Sequence, residues 1–170
     1  TKKTQGYSNS INLDEVVLSQ NDVDDLLTHS DVLVPKKRRY YIETLYSHYS
    51  HTFDGSHLDI ARDVIKQLSP EYLMAFDQVM KQRSGYMFNM FIMKMELADQ
   101  YFTWLFPILD AMYDQIDVSQ MTAFEARLFG RVSELLFNVW LKYKNIEPKE
   151  VPFIYMEKIN LFNKGLSFLQ

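Results

Sequence analysis

The chain contains no cysteine. Disulfides and thiolate metal sites are therefore excluded, and a reducing, cytoplasmic setting fits. No apolar run approaches the ~20 residues needed to span a bilayer, and no signal-peptide pattern is visible. Basic residues are not in excess: 18 Lys and Arg stand against 22 Asp and Glu, a net charge of −4, so general nucleic-acid binding has no global electrostatic support. There is also no Gly-rich phosphate loop, nucleophile elbow or His-Glu-x-x-His motif.

What is present suits a globular protein. The 170 residues fit one domain with one core, and 47% hydrophobic content is ordinary. The aromatic share is high at 15%. Aromatic side chains build cores, and they also line carbohydrate and nucleotide pockets. Residues 1–12 read as a polar, disordered or loosely attached lead-in, and 13–170 as a single helix-rich α/β domain. The first residue is Thr1 rather than Met, which suggests a processed or excised piece of a longer protein.

Helix signals dominate the chain. Ser19 with Asp22 three residues on predicts a capped helix to about His29. Val32-Leu33-Val34 predicts a short buried strand ended by Pro35. The spacing of Tyr41, Leu45 and Tyr49, with Ile42 and Tyr46 alongside, predicts a helix from Tyr40 to about Ser50. Asp54-Gly55 is a turn, and Ser56 is expected to cap a helix to about Leu68. Ser69-Pro70-Glu71 starts another, to about Gln82. The apolar run from Tyr86 to Met93 reads as a central strand covered on both faces.

Glu96 to about Asp117 is a helix with a kink expected at Pro107, and Ala123 to about Lys144 is the longest helix, with Phe124 and Leu128 on its buried side. Val151 to Tyr155 is a late edge strand. Strands separated by helices suggest parallel pairing, and so few strands suggest that part of the sheet lies outside this chain.

Three constellations carry chemistry. His48, His51 and His57 are three of four histidines, packed within ten residues and accompanied by Asp54. Their intervals match no standard zinc spacing. They fit hydroxyl or phosphate binding beside stacking rings of Tyr46, Tyr49 and Phe53, or a plain role in capping helices and satisfying loop carbonyls. Arg83 stands at a helix end, and Asn89 is the one polar residue of an apolar run. A buried Asn without partners costs roughly 1–3 kcal/mol, so Asn89 either bonds backbone or reaches a ligand. Arg127, Arg131 and Glu134 share a helical stripe, with Gly130 between them. The arginines suit a diphosphate and Glu134 a general base, or the three form a surface ion-pair ladder. Lys36 to Arg39 reads mostly as a solvated basic patch. Asp22-Val23-Asp24 matches a cation-chelating Asp-x-Asp only formally, because it lies in the first turn of a capped helix.

The segments Pro35-Lys36-Lys37-Arg38 through Tyr41-Ile42-Glu43-Thr44-Leu45-Tyr46 to Asp59, Met87-Phe88-Asn89-Met90-Phe91-Ile92-Met93, Phe129-Gly130-Arg131-Val132-Ser133-Glu134-Leu135-Leu136 and Tyr155-Met156-Glu157-Lys158-Ile159-Asn160 carry a resemblance. Together, over roughly residues 10–169, they resemble a bacterial glycosyltransferase family encoded with capsule, exopolysaccharide and O-antigen genes, long catalogued as a domain of unknown function. The resemblance implies a nucleotide-sugar-dependent transferase of hexosyltransferase type. It implies a partial Rossmann-like, GT-A-type α/β fold, helix-rich, with a few short, mostly parallel strands flanked by helices. Family members carry a further N-terminal part with the first strands and a His-Tyr-Arg-Arg-Tyr stretch, and Thr1 is expected to begin just after it.

Under that resemblance the partners are a nucleotide-sugar donor and a saccharide or lipid-linked saccharide acceptor. No nucleic acid is expected, and peripheral contact with the inner membrane at its cytoplasmic face is. A divalent cation, Mg or Mn, is an expected cofactor with no ligands identifiable in this chain. Arg83, Arg127 and Arg131 would meet phosphate. His48, His51, Asp54, His57 and Asn89 would hold sugar or acceptor, and Glu134 would be the catalytic base. The rival readings are a non-catalytic helical binding or scaffold domain and a histidine-based metal hydrolase.

Overall fold

The computed structural model describes the backbone of Gly6–Tyr7 and residues 17–155. The rest of the 1–12 lead-in and the stretch from Met156 onward lie outside the described residues.

The first two elements follow the sequence signals. Helix α1 spans Gln20–His29, and its N-cap Ser19 exchanges hydrogen bonds with Asp22 in a capping box. Strand β2, Val32–Pro35, is buried throughout. It is the middle strand of a three-stranded sheet: β6 (Lys149–Val151) pairs parallel on one side and β5 (Ile92–Met93) antiparallel on the other. Gly6–Tyr7 (β1) and Ile154–Tyr155 (β7) form a separate parallel pair. Arg38–Arg39 (β3) and Ser84–Gly85 (β4) form an antiparallel one. The fold is a mixed, helix-rich α/β arrangement, and the expected parallel pairing holds for β2–β6 and β1–β7 only.

Several boundaries differ from expectation. Helix α2 is Leu45–Thr52, and it starts late because Thr44 caps it reciprocally with Ser47. Tyr40 instead extends the β3–β4 pairing through Tyr40 N–H to Arg83 O. Tyr41 and Ile42 are therefore 90% and 86% exposed rather than on a buried helical face. Helix α3, Ser56–Leu68, is not capped by Ser56; the Asp54 carboxylate accepts the Ser56 N–H at 2.8 Å and turns the chain into the helix. A 3₁₀ turn at Pro70–Tyr72 leads into α4, Leu73–Met80.

The run from Tyr86 to Phe91 is not a strand. Its backbone is held by the side chain of buried Asn138, which accepts from Tyr86 N at 2.8 Å and donates to Tyr86 O at 3.0 Å. Its apolar side chains pack without a ladder: Phe91 stacks on Phe137 and meets Tyr101 edge-on. Only Ile92–Met93 pairs, at a sheet edge.

Helix α5, Met95–Tyr113, contains Pro107 and is longer than α6, Leu128–Lys144. The start of α6 is delayed by a 3₁₀ turn, Glu125–Arg127, capped by Thr122 and Glu125 on each other. Phe124 is consequently 52% exposed. The end of α6 is closed by left-handed Asn145, whose N–H reaches Leu141 O and Lys142 O. Between these ends α6 is the spine of the core. Val132, Leu135, Leu136, Val139 and Trp140 are fully buried, and α4 and α5 pack against the helix. A spine so fixed holds any side chain on its remaining face at a set position, and that face carries Arg131 and Glu134.

Candidate functional site

A cavity of about 290 Å³ lies between β3, α2 and the first turns of α6. From β3 and the following loop come Arg38 and Tyr40; from α2 come His48, Tyr49 and Thr52. Arg131 and Glu134, three residues apart on α6, close the opposite side, with Phe53 and Phe124 as an aromatic wall. The two phenylalanine rings stack at 5.0 Å and 8°. The guanidinium of Arg38 lies 5.4 Å from the Tyr40 ring centre, and that of Arg131 lies 6.0 Å from the Phe53 ring centre.

Arg131 and Glu134 form an ion pair in the cavity wall: Arg131 Nη1 lies 3.7 Å from Glu134 Oε2, and only 12% of the Glu134 side chain is exposed. Burial raises the Glu134 carboxyl above the usual carboxylate range, against the lowering pull of Arg131, Arg127 and Arg38. Arg131 Nε is buried and has no acceptor among the described residues. Tyr40 is likewise raised, chiefly by burial.

His48 is fixed from outside the cavity. Its Nδ1 lies 2.6 Å from Glu43 Oε2, and its ring centre is 4.0 Å from that of Tyr40. The other Glu43 oxygen bonds His51 Nδ1. Those two histidine contacts, His51 first, hold the Glu43 carboxyl below its ordinary range.

Of the nine predicted site residues, His48, Arg131 and Glu134 line this cavity. Arg127 is exposed and acts on Glu134 through space. His51 faces solvent with 71% of its side chain exposed. Asp54 is used by the α3 turn. His57 is buried in α3 with Nδ1 3.2 Å from Tyr49 Oη, tying α3 to α2. Arg83 is exposed and donates to Tyr41 O at 3.4 Å. Asn89 is exposed rather than buried, and it braces the start of α6 by donating to Gly130 O and accepting from Ser133 Oγ.

Gly130 is not required by a close approach, since an added Cβ would stand 4.0 Å from Asn89 Nδ2. The sequence reading missed Arg38, Tyr40 and Glu43. Arg38 was hidden in a basic run whose members part in the fold, Lys37 toward a second cavity and Arg38 toward this one.

The Asp-x-Asp carboxylates are engaged within their own helix. Asp22 is engaged by Ser19 N and Oγ, and Asp24 accepts from Gln20 Nε2. Among the described residues no group of three or more His, Asp or Glu is placed to hold a metal ion. Also among the described residues, no helix is long and apolar enough to cross a membrane.

The fold is that of a glycosyltransferase-related domain. The structure is similar to the apo structure of the bifunctional glycosyltransferase WbbM, with a TM-score of 0.81 and 25% sequence identity over 91% of this chain. The match covers 29% of the WbbM chain, so this chain spans under a third of that protein. The chain belongs to the family described as Domain of unknown function (DUF4422), whose model matches residues 4–145. No curated protein matches the sequence.

Proposed function

We propose that the cavity binds a nucleotide-sugar donor, and that the domain is part of a GT-A-type hexosyltransferase acting in bacterial surface polysaccharide assembly. The pairing of Arg38 and Arg131 in one cavity, beside aromatic rings, carries this reading. Arg38 and Arg131 meet the diphosphate, and the Tyr40, Phe53 and Phe124 rings flank a base or sugar face.

In the reaction an acceptor hydroxyl oxygen attacks the anomeric carbon. The bond to the diphosphate oxygen breaks and the arginines stabilise the departing charge. Glu134 is a candidate to take the hydroxyl proton, as the sequence suggested. The likeness to WbbM supports the reaction class.

The test is calorimetry on the full protein carrying this domain. A nucleotide sugar that raises the melting temperature is first found from a panel of UDP, GDP and dTDP sugars. Arg131→Ala is expected to weaken its binding about 10- to 100-fold, the loss of a charge-assisted hydrogen bond at roughly 1.5–3 kcal/mol. Unchanged affinity removes the role. Structural duties at Asp54, His57 and Asn89 favour the second reading, a binding or scaffold domain, and no thermal shift with any sugar, with or without Mn²⁺, would select it.

A further inference from the structure

Two groups at the cavity can accept a proton, Glu134 and His48. We infer that His48 is the catalytic base and that Glu43, which lies outside the cavity, is its positioning residue. This rests on the glycosyl-transfer reading above.

The two candidates differ in what surrounds them. Glu134 sits among cations: Arg131 is 3.7 Å away, and Arg127 and Arg38 also act on it. Arg38 and Arg131 are the guanidiniums assigned above to the leaving diphosphate, so Glu134, paired with Arg131, belongs to the phosphate side.

His48 has the arrangement of an oriented base. Its Nδ1 is 2.6 Å from Glu43 Oε2, which fixes the hydrogen on Nδ1 and leaves the Nε2 lone pair as the free polar atom of a ring that lines the cavity. The Tyr40 ring, centred 4.0 Å away, prevents the imidazole from swinging. Glu43 cannot rotate away, because its second oxygen is held by His51. Thr44, the next residue, is the cap of α2 and anchors Glu43 to the helix that carries both histidines.

The step balances. The acceptor O–H proton moves to His48 Nε2 while its oxygen bonds the anomeric carbon. The electron pair of the broken carbon–oxygen bond leaves on the diphosphate. The imidazolium so formed faces the Glu43 carboxylate on its Nδ1 side.

The groups that face His48 are Glu43 and Tyr40 from the preceding loop, His51 from its own helix, Arg38 from β3, and Arg131 and Glu134 across the cavity. The experiment measures turnover of the donor found in the thermal panel, to acceptor or to water, from pH 5 to 9 in the full protein. His48→Gln should lower turnover about 100-fold while donor affinity by calorimetry stays within about threefold. Glu43→Gln should lower kcat less than His48→Gln does, while donor affinity and melting temperature stay near wild type. A purely structural role for Glu43 would instead lower the melting temperature or donor affinity along with turnover.

If His48→Gln retains turnover within about threefold of wild type, or if Glu43→Gln leaves kcat unchanged, the assignment is overturned. Loss confined to Glu134→Gln gives the proton to Glu134 and overturns it equally. Failure of the wild-type protein to bind any donor is a different result, which removes the glycosyl-transfer reading and this assignment with it.

Discussion

Asn138 predicts a large and specific loss. Its side chain replaces a strand ladder for the segment after β4, with Tyr86 N–H and C=O both paired to it and a further bond from Nδ2 to Glu134 O at 2.8 Å. In Asn138→Ala, the Glu134 carbonyl keeps its helical hydrogen bond, whereas both backbone groups of buried Tyr86 lose their partner. At about 1–3 kcal/mol for each orphaned group, the gross cost is about 2–6 kcal/mol. Asn138 and Tyr86 also border a second cavity of about 340 Å³, large enough for water to reach them, which places the expected loss in the lower half, about 2–4 kcal/mol.

Urea denaturation is the assay. With a slope near 2 kcal/mol per M, the midpoint should fall by about 1–2 M with the slope unchanged. Asn89→Ala is the control: that side chain is exposed, and its loss should cost under about 1 kcal/mol. Asn138→Asp adds a signature, because a carboxylate there would face two carbonyl oxygens and its penalty should grow as the pH rises. A midpoint shift in Asn138→Ala no larger than that of Asn89→Ala would refute the idea that this side chain stands in for a ladder.

Outcomes for four more variants are expected. The Glu134 carboxyl is raised in the folded state, so the group's contribution to stability is full below its unfolded value and is lost as pH rises through the folded one. Glu134→Gln should therefore raise the melting temperature at pH 7, with the gain vanishing near pH 4. Thr44→Ala removes the α2 cap and should cost about 1 kcal/mol in denaturant titrations; because α2 carries His48, turnover should fall alongside. Gly85→Ala should destabilise by about 1–3 kcal/mol, since its Cβ would meet Asn138 Oδ1 and Leu45 Cδ1 at 3.1 Å, whereas Gly130→Ala, with open space, should gain about 0.5–1 kcal/mol of melting stability.

The caps and amphipathic helices were legible because their signals are local. Ser19 and Asp22 reach each other across one turn, and the apolar spacing of α6 names its own buried face. The Tyr86–Met93 run was misread because an apolar octapeptide only requires burial. Whether burial comes with a ladder depends on partners distant in sequence, and here Asn138, 52 residues on, took the backbone bonds. The same nonlocality made Asn89 look buried and left Asn138 unremarked on its helix. The histidine segment divided for a related reason: α2 and α3 send His48 to the cavity, His51 to solvent and His57 into the core.

The sequence by itself determined the absence of thiol chemistry, the lack of basic excess, the starts of α1, α3 and α5 to within a residue, and the buried β2 strand. These follow from composition and from contacts within a turn or two, whereas the glycosyltransferase resemblance rests on matched segments. Only the tertiary structure decided which polar residues meet. Arg38, His48, Arg131 and Glu134 are separated by up to 96 positions, and the cavity they line exists only once α6 is buried and β3 is pinned beside it by β4.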